Sequence, residues 1–99
     1  MKIVKGKTYR IKGIHPYFKR KYGTDNPKFE VHGTDIEFWD KSWGLMQGNP
    51  CAMLFGMRMG LEGKSIEEVD KEIVWIGHIL PSGLAECALE SELEEIDVK

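Results

Sequence analysis

Cysteine is scarce in this chain of 99 residues: Cys51 and Cys87 stand far apart, too few for a disulfide framework. The start, Met1-Lys2-Ile3-Val4-Lys5-Gly6, turns polar before the apolar core of an export signal can develop, so a cytoplasmic protein with two free core thiols is expected. Long apolar runs are missing too. The longest, Ile73–Ile76 and Ile79–Leu80, fall far short of the roughly 20 residues a membrane span requires, and no membrane association is expected. Metal-binding spacings are absent: His15, His32, His78, Cys51 and Cys87 form neither a Cys-x-x-Cys nor a His-x-x-x-His pair, so neither a metal nor a cofactor is expected. Ser42, Ser65, Ser82 and Ser91 sit in no nucleophile elbow. Gly63-Lys64-Ser65 ends like a phosphate loop, but Arg58 stands where its first glycine would be needed.

These gaps remove the enzyme classes that announce themselves by a short motif, and no catalytic residue is assigned. The one nucleophile with a physical argument is Cys51. It falls in the first turn of an expected helix, where the macrodipole favours a thiolate, although its Met-rich surroundings argue for packing.

What the chain does have is an uneven charge. Nine basic residues lie between Met1 and Lys28 against Asp25 alone, a balance of +8, while the remainder carries −10, for a net charge of −2. Such a division suits an anionic partner, and equally suits two halves that neutralise each other within the fold.

Local pattern points to a mainly β domain spanning residues 1–99. Tyr9 and Ile11 alternate with Thr8, Arg10 and Lys12 as in a half-buried strand, and His15-Pro16 begins a long basic loop over residues 15–28. Phe29–Val31 and Ile36–Trp39, interrupted at Gly33-Thr34-Asp35, read as a hairpin or a bulged strand. Asn49-Pro50 supplies a cap and a first-turn proline for an amphipathic helix over about 50–61, with Ala52, Phe55 and Met59 on its apolar face, extended by Met53 and Met57, and Gly60 or Gly63 as its stop. Ser65 and Glu68 have capping-box spacing. Ile73–Leu80 reads as the central strand, joined through Pro81-Ser82-Gly83 to Leu84–Leu89, and Leu93 and Ile96 suit one closing helical turn.

Gly6-Lys7-Thr8-Tyr9-Arg10-Ile11, Val74-Trp75-Ile76-Gly77-His78-Ile79 and Glu90-Ser91-Glu92-Leu93-Glu94 together resemble the strands, final hairpin and closing turn of an SH3-like small β-barrel. The resemblance implies about five strands, with the helix at 50–61 as an insertion. Ser42-Trp43-Gly44 and Gly48-Asn49-Pro50 resemble a group of small bacterial and phage proteins, a likeness that implies no activity. The function expected is a non-enzymatic protein–protein interaction module whose contacts are the loop aromatics Tyr17, Phe18, Trp39 and Trp43. The alternative is nucleic-acid binding through the 15–28 loop, where Lys19, Arg20 and Lys21 would track phosphates while Tyr17, Phe18 and Tyr22 stack on bases.

Overall fold

A computed structural model describes residues 2–34, 50–69 and 71–96, with the backbone alone for helix residues 50–55, 66 and 67. Its frame is a five-stranded antiparallel sheet: β1 (Thr8–Ile11), β2 (Lys28–Thr34), β3 (Val74–Leu80), β4 (Leu84–Leu89) and β5 (Leu93–Glu95), in the spatial order β4-β3-β2-β1-β5. The expected β3–β4 hairpin is present, turning at Pro81-Ser82-Gly83, where Gly83 takes φ +76°. The mainly β expectation holds for the described residues. The middle strand, however, is β2 rather than β3, and β1 is flanked by β2 and β5.

Beyond β4 the chain makes one 3₁₀ turn (Glu90–Glu92) and immediately becomes β5. One closing helical turn is present, but it precedes Leu93 and Ile96 instead of containing them, because Leu93 enters a strand opposite Ile11. β4 and β5 are the two edges of the sheet, which in a flat sheet would stand about 19 Å apart, at roughly 4.8 Å per strand step. Three residues of 3₁₀ helix advance only about 6 Å. The sheet must therefore curl strongly, although among the described residues no ladder joins β4 to β5 and the sheet is not closed.

One face of the curl buries Tyr9, Ile11, Phe29, Val31, Ile79 and Leu93. The helix that covers it, α1 (Pro16–Tyr22), replaces the expected loop and inserts Tyr17 and Phe18. Its ends follow ordinary helix chemistry. Pro16 occupies the first turn, where its missing N–H costs nothing, and Gly23 closes the last turn at φ 78°, donating its N–H to the Lys19 carbonyl at 2.9 Å. The basic, aromatic composition of this stretch concealed a helix of only seven residues, too short to show two turns of apolar periodicity.

On the opposite face, α2 (Pro50–Leu61) and the short α3 (Ile66–Val69) bring Met59 and Val69 onto Val74, Ile76, Cys87 and Leu89. Of the two candidate stops for α2, Gly63 is the one used. At φ +77° it donates to the Gly60 carbonyl while Lys64 donates to the Met59 carbonyl, the paired bonds of a Schellman ending. Ser65 caps α3, its Oγ accepting the Glu68 N–H at 3.2 Å. Of the apolar face expected for α2, Met59 is buried, Met57 is exposed with Arg58 buried beside it, and the side chains of Ala52, Met53 and Phe55 lie outside the described residues. Among the described residues no helix is long and apolar enough to cross a membrane.

Candidate functional site

Four charged side chains meet where α1, α2 and the 3₁₀ turn converge. Arg58, 1 % exposed, donates from Nη1 to the Cys87 carbonyl at 2.7 Å and from Nη2 to Glu92 Oε1 at 2.5 Å, with its guanidinium 4.8 Å from the Phe18 ring centroid. Glu92 Oε1 also accepts the Leu89 N–H at 2.8 Å, while Glu92 Oε2 is buried with no hydrogen-bond partner, 3.7 Å from His15 Nδ1 and 3.6 Å from Lys64 Nζ. His15 is held between two acceptors, with Nε2 2.6 Å from the Lys12 carbonyl and Nδ1 3.1 Å from Glu62 Oε2. A carbonyl can only accept, and so can an ionised carboxylate, so both ring nitrogens are satisfied together only in the imidazolium. Burial works against that charge, but the bond to Glu62, the Lys12 carbonyl and the charges of Glu92 and Glu62 outweigh it and raise the His15 pKa above its ordinary value.

Although His15, Glu62 and Glu92 gather three possible metal donors, Glu92 Oε1 is held by Arg58 and the His15 and Glu62 donor atoms face each other at 3.1 Å. The cluster is better suited to holding elements together than to binding a cation. It floors an open depression of about 430 Å³ whose lining includes Lys12, Ile14, Lys64 and Ser91. Ile14 stands at its rim, 85 % exposed.

A second buried carboxylate anchors α1 to the sheet. Glu86, on the same face of β4 as Ala88, receives three donors on Oε2: Tyr22 Oη at 2.6 Å, Tyr17 Oη at 3.1 Å and Lys21 Nζ at 3.1 Å. Lys21 also lies within 5.4 and 5.6 Å of the Tyr17 and Tyr22 ring centroids. Burial, with the Glu86 charge in support, raises both phenol pKa values; for Tyr17 the nearby Lys21 opposes the shift without cancelling it.

The structure therefore divides the residues singled out from sequence. Tyr17 and Phe18 are buried in the core, Lys21 and half-buried Tyr22 are engaged by Glu86, and Lys19 and Arg20 remain on the exposed face of α1. Trp39 and Trp43, like the second arm expected at Ile36–Trp39, lie outside the described residues. Cys51 falls in the first turn of α2 as expected, but its side chain is likewise outside them. Cys87 is buried in the cluster beneath α2.

The charge division acquires a structural meaning at β1 and β5. These strands pair antiparallel, and Lys7 meets Glu95 at 3.0 Å while Arg10 meets Glu94 at 2.8 Å, so part of the basic N-terminal segment is neutralised by the acidic end of the chain. The expected neutralisation is thus present at these two pairs.

Sequence reasoning missed Arg58, Glu62, Glu86 and Glu92, charged residues that a polar pattern assigns to the surface. It also missed a meeting on the outer face of the sheet. Glu30 is in register with His78, and an irregularity between Val31 and Gly33 sets His32 beside them, with His32 Nε2 2.6 Å from His78 Nδ1 and 3.5 Å from Glu30 Oε1. No protein-family model matches the chain, and no curated protein or solved structure matches it either.

Proposed function

We propose that the chain is a non-enzymatic protein-interaction module on an SH3-like sheet, contacting its partner through the shelf around Ile14. The observation that carries this reading is the 85 % exposure of Ile14 at the rim of the depression. A β-branched apolar side chain in that position gains on the order of 1.5–3 kcal/mol when a partner removes it from water. Lys12 and Lys64 stand around it with the Glu62 and Glu92 carboxylates buried in the floor beneath, so the cations are already opposed by acids of the chain itself, which suits a protein contact better than a polyphosphate. The strand order, the tight β3–β4 hairpin and the 3₁₀ turn before β5 support the SH3-like assignment. The mutual engagement of His15, Arg58, Glu62 and Glu92, and of Tyr17, Lys21, Tyr22 and Glu86, supports a scaffolding role for the buried charges.

Nucleic-acid binding through residues 15–28 is the second reading, favoured by exposed Lys19 and Arg20. With Tyr17 and Phe18 in the core, it would rest on phosphate contacts rather than on stacking by those rings. Affinity capture from host lysate, with and without nuclease, separates the two. Proteins retained after nuclease treatment by the wild type and lost with Ile14→Asp are the expected result. Retention unaffected by Ile14→Asp overturns the assignment of the surface, and material that disappears with nuclease and with Lys19→Glu/Arg20→Glu establishes the second reading instead.

A further inference from the structure

We propose that Glu30, His32 and His78 form a binding site for a divalent transition-metal ion of the zinc class, independent of the Ile14 shelf. The three residues come from adjacent strands. Glu30 and His32 project from β2 on the face turned away from Phe29 and Val31, and His78 projects from β3 at the position paired with Glu30. Their donor atoms lie within 4.8 Å of one another, and the site is open to solvent, with the His32 and Glu30 side chains 42 % and 38 % exposed.

The backbone sets this meeting up. Two residues separated by one in a strand share a face, so the β2 irregularity is what lets His32 lean onto His78 without disturbing the Glu30–His78 pair. Gly77 permits the close strand approach alongside: a side chain there would place its Cβ 2.0 Å from the Glu30 carbonyl oxygen.

The donor set is one that zinc, nickel and copper accept, two imidazoles and a carboxylate. Two tetrahedral zinc ligands at about 2.0–2.1 Å from the ion stand roughly 3.3 Å apart, so the facing nitrogens, at 2.6 Å, must separate by about 0.7 Å. Side chains this exposed can make that adjustment. In the empty site one ring donates a proton to the other. When the ion takes that place, the donating ring carries its proton on its other nitrogen, and both facing lone pairs point at the metal. Three protein ligands leave a fourth position open to water or to a donor from a partner.

Zinc titration of the full chain against a chromophoric zinc indicator, with histidine side-chain NMR in parallel, tests the assignment. One equivalent of zinc is expected to move the imidazole signals of His32 and His78 and to leave those of His15 in place. His78→Gln and His32→Gln are each expected to weaken binding at least about tenfold while the circular dichroism stays that of the wild type, and Glu30→Gln to weaken it less. Zinc binding that is unchanged in both histidine variants, zinc that moves His15 instead, or no binding of one equivalent at micromolar zinc would overturn the site.

Discussion

Removing Arg58 tests the claim that a buried ion pair, and not apolar packing alone, fixes α2 against the folded-over sheet. In Arg58→Ala the Glu92 carboxylate, 4 % exposed, loses its guanidinium, and the Cys87 carbonyl loses a donor. Breaking a buried pair from one side typically costs about 3–5 kcal/mol, because the remaining charge is left in a poorly solvating interior. Lys64, 3.6 Å from the other Glu92 oxygen and 35 % exposed, can swing in and recover part of this, which places the expected loss near the lower end, about 3 kcal/mol. A domain of this size has on the order of 5–15 kcal/mol in total. With a urea dependence of about 1–3 kcal/mol per molar, the unfolding midpoint should fall by roughly 1–3 M. The decisive measurement is a double-mutant cycle. Arg58→Met alone strands the carboxylate, whereas Arg58→Met with Glu92→Gln removes both charges, so the pair should be less damaging than the sum of the singles by about 2 kcal/mol. A loss below about 1 kcal/mol in Arg58→Ala, or strict additivity in the cycle, would refute the reasoning.

The raised His15 pKa makes its contribution complete below the ordinary histidine value of about 6.5 and lost as pH rises through the folded-state value; urea midpoints should decline across that window in the wild type and stay flatter in His15→Gln. Because the phenol pKa values of Tyr17 and Tyr22 are raised, stability should fall as pH climbs past about 10, where the unfolded chain ionises first, and tyrosinate absorbance should show both groups ionising only as the protein unfolds. Gly77→Ala should cost about 3 kcal/mol or more, since its Cβ would overlap the Glu30 backbone, whereas Gly23→Ala meets open space and should cost only about 1–2 kcal/mol for its left-handed conformation; equal thermal midpoints in the two variants would contradict this.

How much of this was legible depended on whether the signal was local. Strand alternation at Tyr9 and Ile11, the proline-first helix at Pro50, the Ser65 cap and the Pro81-Ser82-Gly83 turn are all written within a few neighbouring residues, and each was found. The helix at Pro16–Tyr22 was not, because its stabilisation is tertiary: Phe18 has to meet the sheet and Glu86 has to accept three donors before seven residues hold a helical form. The same holds for the charged groups. Glu86 and Glu92 have the composition of a solvated acidic tail, and only the distant cations and hydroxyls that β-sheet register brings to them make their burial tolerable. His32 and His78 lie in different segments, and no spacing rule connects them without the β2–β3 register.

The abrupt β4-to-β5 connection explains why so much charge is buried at one point. A three-residue link between opposite sheet edges leaves no length for a detour, so the turn stays close to the sheet and brings Glu92 to Arg58 of α2 and to His15 at the start of α1. Backbone groups in that turn need partners, and Glu92 provides one by accepting the Leu89 N–H with the same oxygen that receives Arg58. Through Arg58 the turn is tied to α2 and to the Phe18 ring of α1, and through the other Glu92 oxygen it faces His15 at the entry to α1. An apolar replacement could fill that space but could not satisfy the Leu89 N–H. The buried charges thus follow from the chain path: sharp curling of the sheet creates an unmet donor in the interior, a carboxylate meets it, and Arg58 and His15 are the cations that make this carboxylate tolerable.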